Sequence, residues 1–230
     1  MRCYPATVAT ILLLLSAGAT ADLHNPVCGE TTRYSAPQRP YVAFRRLEAE
    51  NAKSGRQGWL EARTTVGNDG HLVVEVLAEG GSEYIRNKVL RAALEAEQNL
   101  VAKRLPVQPP TPPDAYECAD RQPDESGLLR VPLRPRRKGG ESLVIGHMFL
   151  QPSTGDVVRV SGRLARNPSF WISQVDVEWL YARVHKDTVL PVSLSSIAKV
   201  KMFGLSTFRM TYDYLSVDGE PVSVGSRASR

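Results

Sequence analysis

The sequence predicts an α+β fold that is mainly antiparallel β, and three observations point to it. Apolar and polar residues alternate with a period near two from Leu143 to Val217, where turn residues divide the run into five strands. Two further β-like runs, Trp59 to Val66 and His71 to Leu77, flank Gly67-Asn68-Asp69-Gly70, a cluster suited to the positive φ angles of a hairpin loop. Between that hairpin and the five strands, Ile85, Val89, Ala92, Ala96 and Leu100 recur at helical spacing. A meander with one apolar face must bury it against helices, a second sheet or a ligand.

The chain opens with Met1 and Arg2, an apolar core from Val8 to Leu15, and the small residues Ser16 to Ala21. This is the pattern of a secretory signal peptide over residues 1–21, cleaved after Ala21. Removing it would leave 209 of the 230 residues, enough for one domain, 22–230, with a sizeable core. The apolar run is too short to span a bilayer, and no later stretch approaches the length required, so no transmembrane span is expected after cleavage. The formal net charge of +5 is mild; an exported chain would bring it to lipid head groups rather than to nucleic acid. Of the three cysteines, Cys3 lies in the signal. Cys28 and Cys118 fit one disulfide in an oxidising compartment and equally fit two unpaired thiols. Neither has the spacing of a metal site, and no cofactor is expected.

Taken in order, residues 22–39 are polar and carry prolines, as a loop does. Pro40 is expected to open a helix reaching about Lys53, with Tyr41, Phe44 and Leu47 inward and Arg45, Arg46, Glu48 and Glu50 outward. After the hairpin, Ser82 can cap the second helix, which runs to about Arg104 and turns Arg86, Lys88, Arg91, Glu95, Glu97 and Lys103 to solvent. Pro106 to Pro113 is an extended Pro-rich loop. Leu128 to Pro135 resumes the sheet, where Pro132 and Pro135 place it at an edge or bulge. Arg130, Arg134, Arg136, Arg137 and Lys138 follow as the densest basic cluster, a contact for anionic lipid or a partner protein, or a solvated tip guarding a sheet edge.

Within the meander the expected inward sets are Val158, Val160, Gly162 and Leu164; Trp171, Val175, Val177 and Trp179; Val192, Leu194, Ser196, Ala198, Val200 and Met202; and Phe208, Met210, Tyr212 and Tyr214. No HExxH, GxSxG, GxGxxG or Walker loop is present, and His24, His71, His147 and His185 stand singly. Asp176 and Glu178 share a strand face, which suits an exposed surface better than acid–base work without a nearby nucleophile or histidine. The inward positions carry Val, Leu, Met, Phe, Tyr and Trp. That composition argues against an enzyme and fits either a dry core or a cavity for acyl chains, in which Met148, Met202 and Met210 would be adaptable fillers.

An exported chain with an N-terminal helix, a hairpin and a long antiparallel meander resembles the LolA/LolB-type periplasmic lipoprotein carriers. The resembling stretches are Met148-Phe149-Leu150 through Thr154-Gly155-Asp156, Trp179-Leu180-Tyr181 followed by Leu190-Pro191, and Thr207 to Tyr214, about a third of the chain. The resemblance implies a curved half-barrel with helices on its concave side, located in the periplasm and sequestering lipid or lipoprotein acyl chains without covalent chemistry. The expected lining is Val158, Val160, Val175, Val177, Trp179, Leu194, Phe208, Met210 and Tyr212. The Pro-rich loop and the cluster around Arg136 have no counterpart in such carriers. The alternative is a cell-envelope scaffold that docks a partner through Arg134, Arg136, Arg137 and Lys138.

Overall fold

The computed structural model describes residues 25–26, 31–32, 39–102, 116–117, 120–136, 143–167 and 169–222. The signal segment, Cys28, Cys118, the 106–113 loop, Arg137 and Lys138 lie outside these residues. A two-stranded ribbon, β1 (Asn25–Pro26) and β2 (Thr31–Thr32), precedes the main sheet.

The main sheet is antiparallel throughout. Its first three strands are β3 (Tyr41–Asn51), β4 (Arg56–Val66) and β5 (Leu72–Gly81). A helix, α1, follows as Glu83–Ile85, a π-helical turn over Arg86–Leu90, and Arg91–Ala102. Two short strands, β6 (Gln122–Pro123) and β7 (Leu129–Leu133), lead into the meander of β8 (Val144–Leu150), β9 (Val157–Leu164), β10 (Ile172–His185), β11 (Thr188–Val200) and β12 (Gly204–Val217), and β13 (Glu220–Pro221) folds back on β12. The order across the sheet is β5-β4-β3-β12-β11-β10-β9-β8-β7-β6, so the sheet is curved and open, with edges at β5 and β6. One helix lies on it where the sequence predicted two.

The five predicted strands of the meander are present. The expected helix from Pro40 is not: residues 41–51 form β3, paired with β12 on one side and β4 on the other. Tyr41, Ala43, Leu47 and Ala49 are buried and alternate with outward Arg46, Glu48 and Glu50, so the same residues satisfy a period of two. Good helix formers such as Ala, Leu, Glu and Arg carry only tenths of a kcal/mol each, on the order of what one strand-pairing contact overrides. Ser54-Gly55, just past the expected end of that helix, lies in the β3–β4 turn, with Gly55 at φ 63°.

Registers carry one apolar row across the inner face: Val131, Met148, Val160, Trp179, Leu194, Met210, Leu47 and Leu60 stand opposite one another strand by strand. All eight are buried. The neighbouring row contains Gly146 and Gly162, directly paired, where a Cβ on either residue would overlap the carbonyl of the facing strand at Ser161 or Ile145. At the other side of the sheet Gly58 makes room for α1, since a Cβ there would sit 3.0 Å from Ile85 Cγ2. Gly162→Val, which forces β8 and β9 apart, is expected to lower stability by about 1–3 kcal/mol in urea unfolding.

Candidate functional site

The site is the inner face of the sheet together with α1. Eight of the nine expected lining residues are buried there: Val160, Val175, Val177, Trp179, Leu194, Phe208, Met210 and Tyr212. Val158 is half-buried, because a register shift between Phe149 and Leu150 gives the inward position to Val157. Two other inward expectations are overturned. Trp171 precedes β10 and is exposed, and Met202 sits in the β11–β12 turn at φ 67° with its side chain in solvent. A void wide enough for water would leave accessible surface on its walls, yet Trp179 is 1% exposed and its row neighbours no more, so the described inner face is tightly packed.

Into this apolar interior the fold inserts one ion pair. Arg45, on β3, and Glu97, on α1, have fully buried side chains. Arg45 Nη1 donates to Glu97 Oε2, and Nη2 donates to Glu97 Oε1 at 2.9 Å and to Tyr41 Oη at 2.5 Å. The guanidinium carbon stands 4.6 Å from the centroid of the Tyr212 ring, which stacks on Tyr214, and Tyr214 in turn meets Tyr41 edge-on. Tyr214 Oη donates to the Pro191 carbonyl at 2.9 Å. Burial pulls the Arg45 pKa down most strongly, but Glu97 together with Tyr41 and Tyr212 outweighs it and holds the group well above its ordinary value. Burial raises the Glu97 carboxyl, against the pull of Arg45.

The sequence pattern turns both partners to solvent, with Arg45 on the outer side of a helix that is in fact a strand and Glu97 on the polar side of α1. The π-helical turn accounts for Glu97: its wider winding buries Ala93, Glu97 and Val101 alongside the expected Val89 and Ala96, and leaves Ala92 and Leu100 only half-buried. The available signal was the strand alternation of residues 41–49, in which Arg45 is the charged residue among inward apolar ones. Three further bonds fasten α1 to the edge strand: Arg86 Nη1 and Arg91 Nη2 donate to Glu79 at 2.6 and 2.7 Å, and Gln98 Nε2 donates to the Leu72 carbonyl at 3.1 Å.

The remaining candidates do not join this site. Asp176 lies on the opposite face, where Gln174 Nε2 donates to both of its carboxylate oxygens. Arg134 and Arg136 are exposed beside β7, and Arg136 Nε donates to the Tyr116 carbonyl at 2.6 Å. A groove of about 760 Å³ opens chiefly on the outer face of β4, β3, β12 and β11, between Arg46, Trp59, Ile197 and Arg209. Arg46 is paired there with Glu48 and Glu61. No group of side chains suited to a metal ion occurs among the described residues, and no described helix is long and apolar enough to cross a membrane. No family model matches the chain, and no curated protein or solved structure matches it either.

Two measurements check the ion pair. Glu97→Gln leaves the guanidinium buried without its counter-charge and is expected to cost about 3–5 kcal/mol in urea unfolding. Burial also pushes the Tyr41 hydroxyl up to about 12, with Arg45 pulling the other way. A tyrosine raised on folding gives its full contribution below its unfolded pKa of about 10 and loses it as pH climbs towards the folded value. Stability is therefore expected to fall by about 3 kcal/mol between pH 10 and 12. Tyrosinate absorbance should show Tyr41 and Tyr214 ionising last, since burial drives Tyr214 up as well.

Proposed function

We propose that this chain is an exported cell-envelope binding protein that shields an acyl chain of a lipid or lipoprotein on the inner face of its sheet. In this reading α1 is the movable cover and no covalent step occurs. One observation carries it: Trp179 Nε1 is buried in the middle of the apolar row with no hydrogen-bond partner among the described residues. Leaving such a donor unpaired costs about 1–3 kcal/mol, a cost that a core without a guest would shed by carrying Phe or Leu there. The ester or amide carbonyl of an acylated cargo is an acceptor that would satisfy it. Each methylene placed against this face would contribute about 0.8 kcal/mol.

The ion pair fits the same role. A buried salt bridge is rarely more stabilising than well-packed apolar residues, whereas it fixes one geometry for two elements that separate and return. The packed interior is then the closed form, and cargo enters as α1 lifts from β3, β4 and β5. An export signal in residues 1–21 and the resemblance to periplasmic carriers favour the periplasm as its compartment. The scaffold alternative draws on Arg134 and Arg136, which are exposed where β7 extends past its two-residue partner β6.

Gentle purification from a periplasm, lipid extraction and displacement of a fluorescent fatty acid test the proposal. The parent is expected to carry lipid or take up the probe. The double variant Arg45→Leu/Glu97→Leu is expected to be as stable as the parent, or up to about 4 kcal/mol more stable, while binding the probe far more slowly because its cover no longer releases. A parent that neither carries lipid nor takes up the probe overturns the proposal. A protein partner that is lost on Arg134→Ala/Arg136→Ala would establish the scaffold instead.

A further inference from the structure

Ten large apolar side chains are exposed among the described residues, and five of them, Phe170, Trp171, Met202, Phe203 and Leu205, fall on two adjacent tips at one end of the sheet. The tips are joined: Lys201 N donates to the Trp171 carbonyl at 2.7 Å, Lys201 Nζ lies 3.9 Å from the Phe170 ring centroid, and Phe170 meets Trp171 edge-on at 5.6 Å. A third tip, the β3–β4 turn, is tied in through Lys53 Nζ, which donates to the Met202 carbonyl at 2.7 Å. Phe170 is 76% exposed, Met202 73% and Trp171 40%. Met202 is held outward by a left-handed backbone that its side chain does not favour.

Charge separates this end from the other. Residues 51–57, 165–171 and 198–206 contain Lys53, Arg56, Arg166, Lys199 and Lys201 and no acid. The turns at the far end instead carry Asp69, Asp124, Glu125, Asp156, Asp187, Asp218 and Glu220, of which Asp156 and Asp187 pair with Arg183, Asp218 with Arg39 and Glu220 with Lys186. Protruding aromatic tips among lysines are the chemistry of a membrane interface: Trp and Phe settle at head-group level, and lysines are drawn to anionic lipid. A protein partner is disfavoured by the surrounding lysines, in which protein interfaces are depleted. We infer that the end of the sheet bearing Phe170, Trp171, Met202 and Phe203 is a reversible docking surface for an anionic lipid bilayer. It stands on geometry separate from the inner face and does not require cargo to be bound there.

The test uses the full chain carrying Trp59→Phe, so that Trp171 is the exposed indole and Trp179 remains buried, with vesicles of phosphatidylglycerol and phosphatidylethanolamine whose acyl chains are brominated. Trp171 emission is expected to shift to the blue and be quenched, less so in high salt and not with phosphatidylcholine vesicles. Adding Lys199→Glu/Lys201→Glu should weaken partitioning about tenfold or more. Phe170→Ser/Met202→Ser, at solvent-exposed positions, should abolish quenching without changing the unfolding midpoint. Vesicle binding with Trp171 unquenched, partitioning indifferent to both sets of substitutions, or a co-purified protein covering Trp171 would overturn the inference.

Discussion

Antiparallel pairing of residues 41–51 with residues 206–217 is the constraint on which the rest of the structure depends. It joins the N-terminal hairpin to the last strand of the meander and makes one sheet from two separately coded halves. Because α1 follows β5 directly, the same pairing delivers the helix to the inner face. The contact is as non-local as any in the described chain, so its entropy of closure must be met before it contributes, and folding should be limited by this step.

Once β3 is central, Arg45 has nowhere to go but inward. Its guanidinium, buried against Tyr41, Tyr212 and Ala62, would be untenable without a counter-charge, and α1 supplies one through a turn wound wider than an ordinary helix. The helix α1 is therefore attached by charge to Arg45 and by further bonds to Glu79 and Leu72, all on strands at one side of the sheet. These bonds are concentrated on β3 and the edge strand β5 and none of them involves the strands from β8 to β12. In the carrier function proposed above, that arrangement would be the mechanical basis for a cover that opens over a lasting apolar wall.

Much of the sheet was legible because a period of two sustained over five consecutive runs suits a half-buried sheet and no helix, and the turns between them carried Gly, Pro, Asn and Asp where they were needed. The inward identity of Val160, Val175, Val177, Trp179, Leu194, Phe208 and Met210 followed from that period. The same rule failed at Val158, Trp171 and Met202, each next to a register shift or a turn, where one extra residue or one left-handed backbone angle moves a side chain to the other side.

By itself the sequence determined the alternation of the meander, the first hairpin and an amphipathic helix after it, since these rest on local spacing and turn chemistry. Tertiary structure alone decided that residues 41–51 are a strand, because their composition suits helix and sheet alike and only the partners β12 and β4 break the tie. It alone brought Arg45 to Glu97, fifty-two residues away, and gathered Phe170, Trp171, Met202 and Phe203 on one end. Local periodicity records which side a residue prefers, whereas the meeting of distant charges and distant tips is set by strand order, which no local pattern encodes.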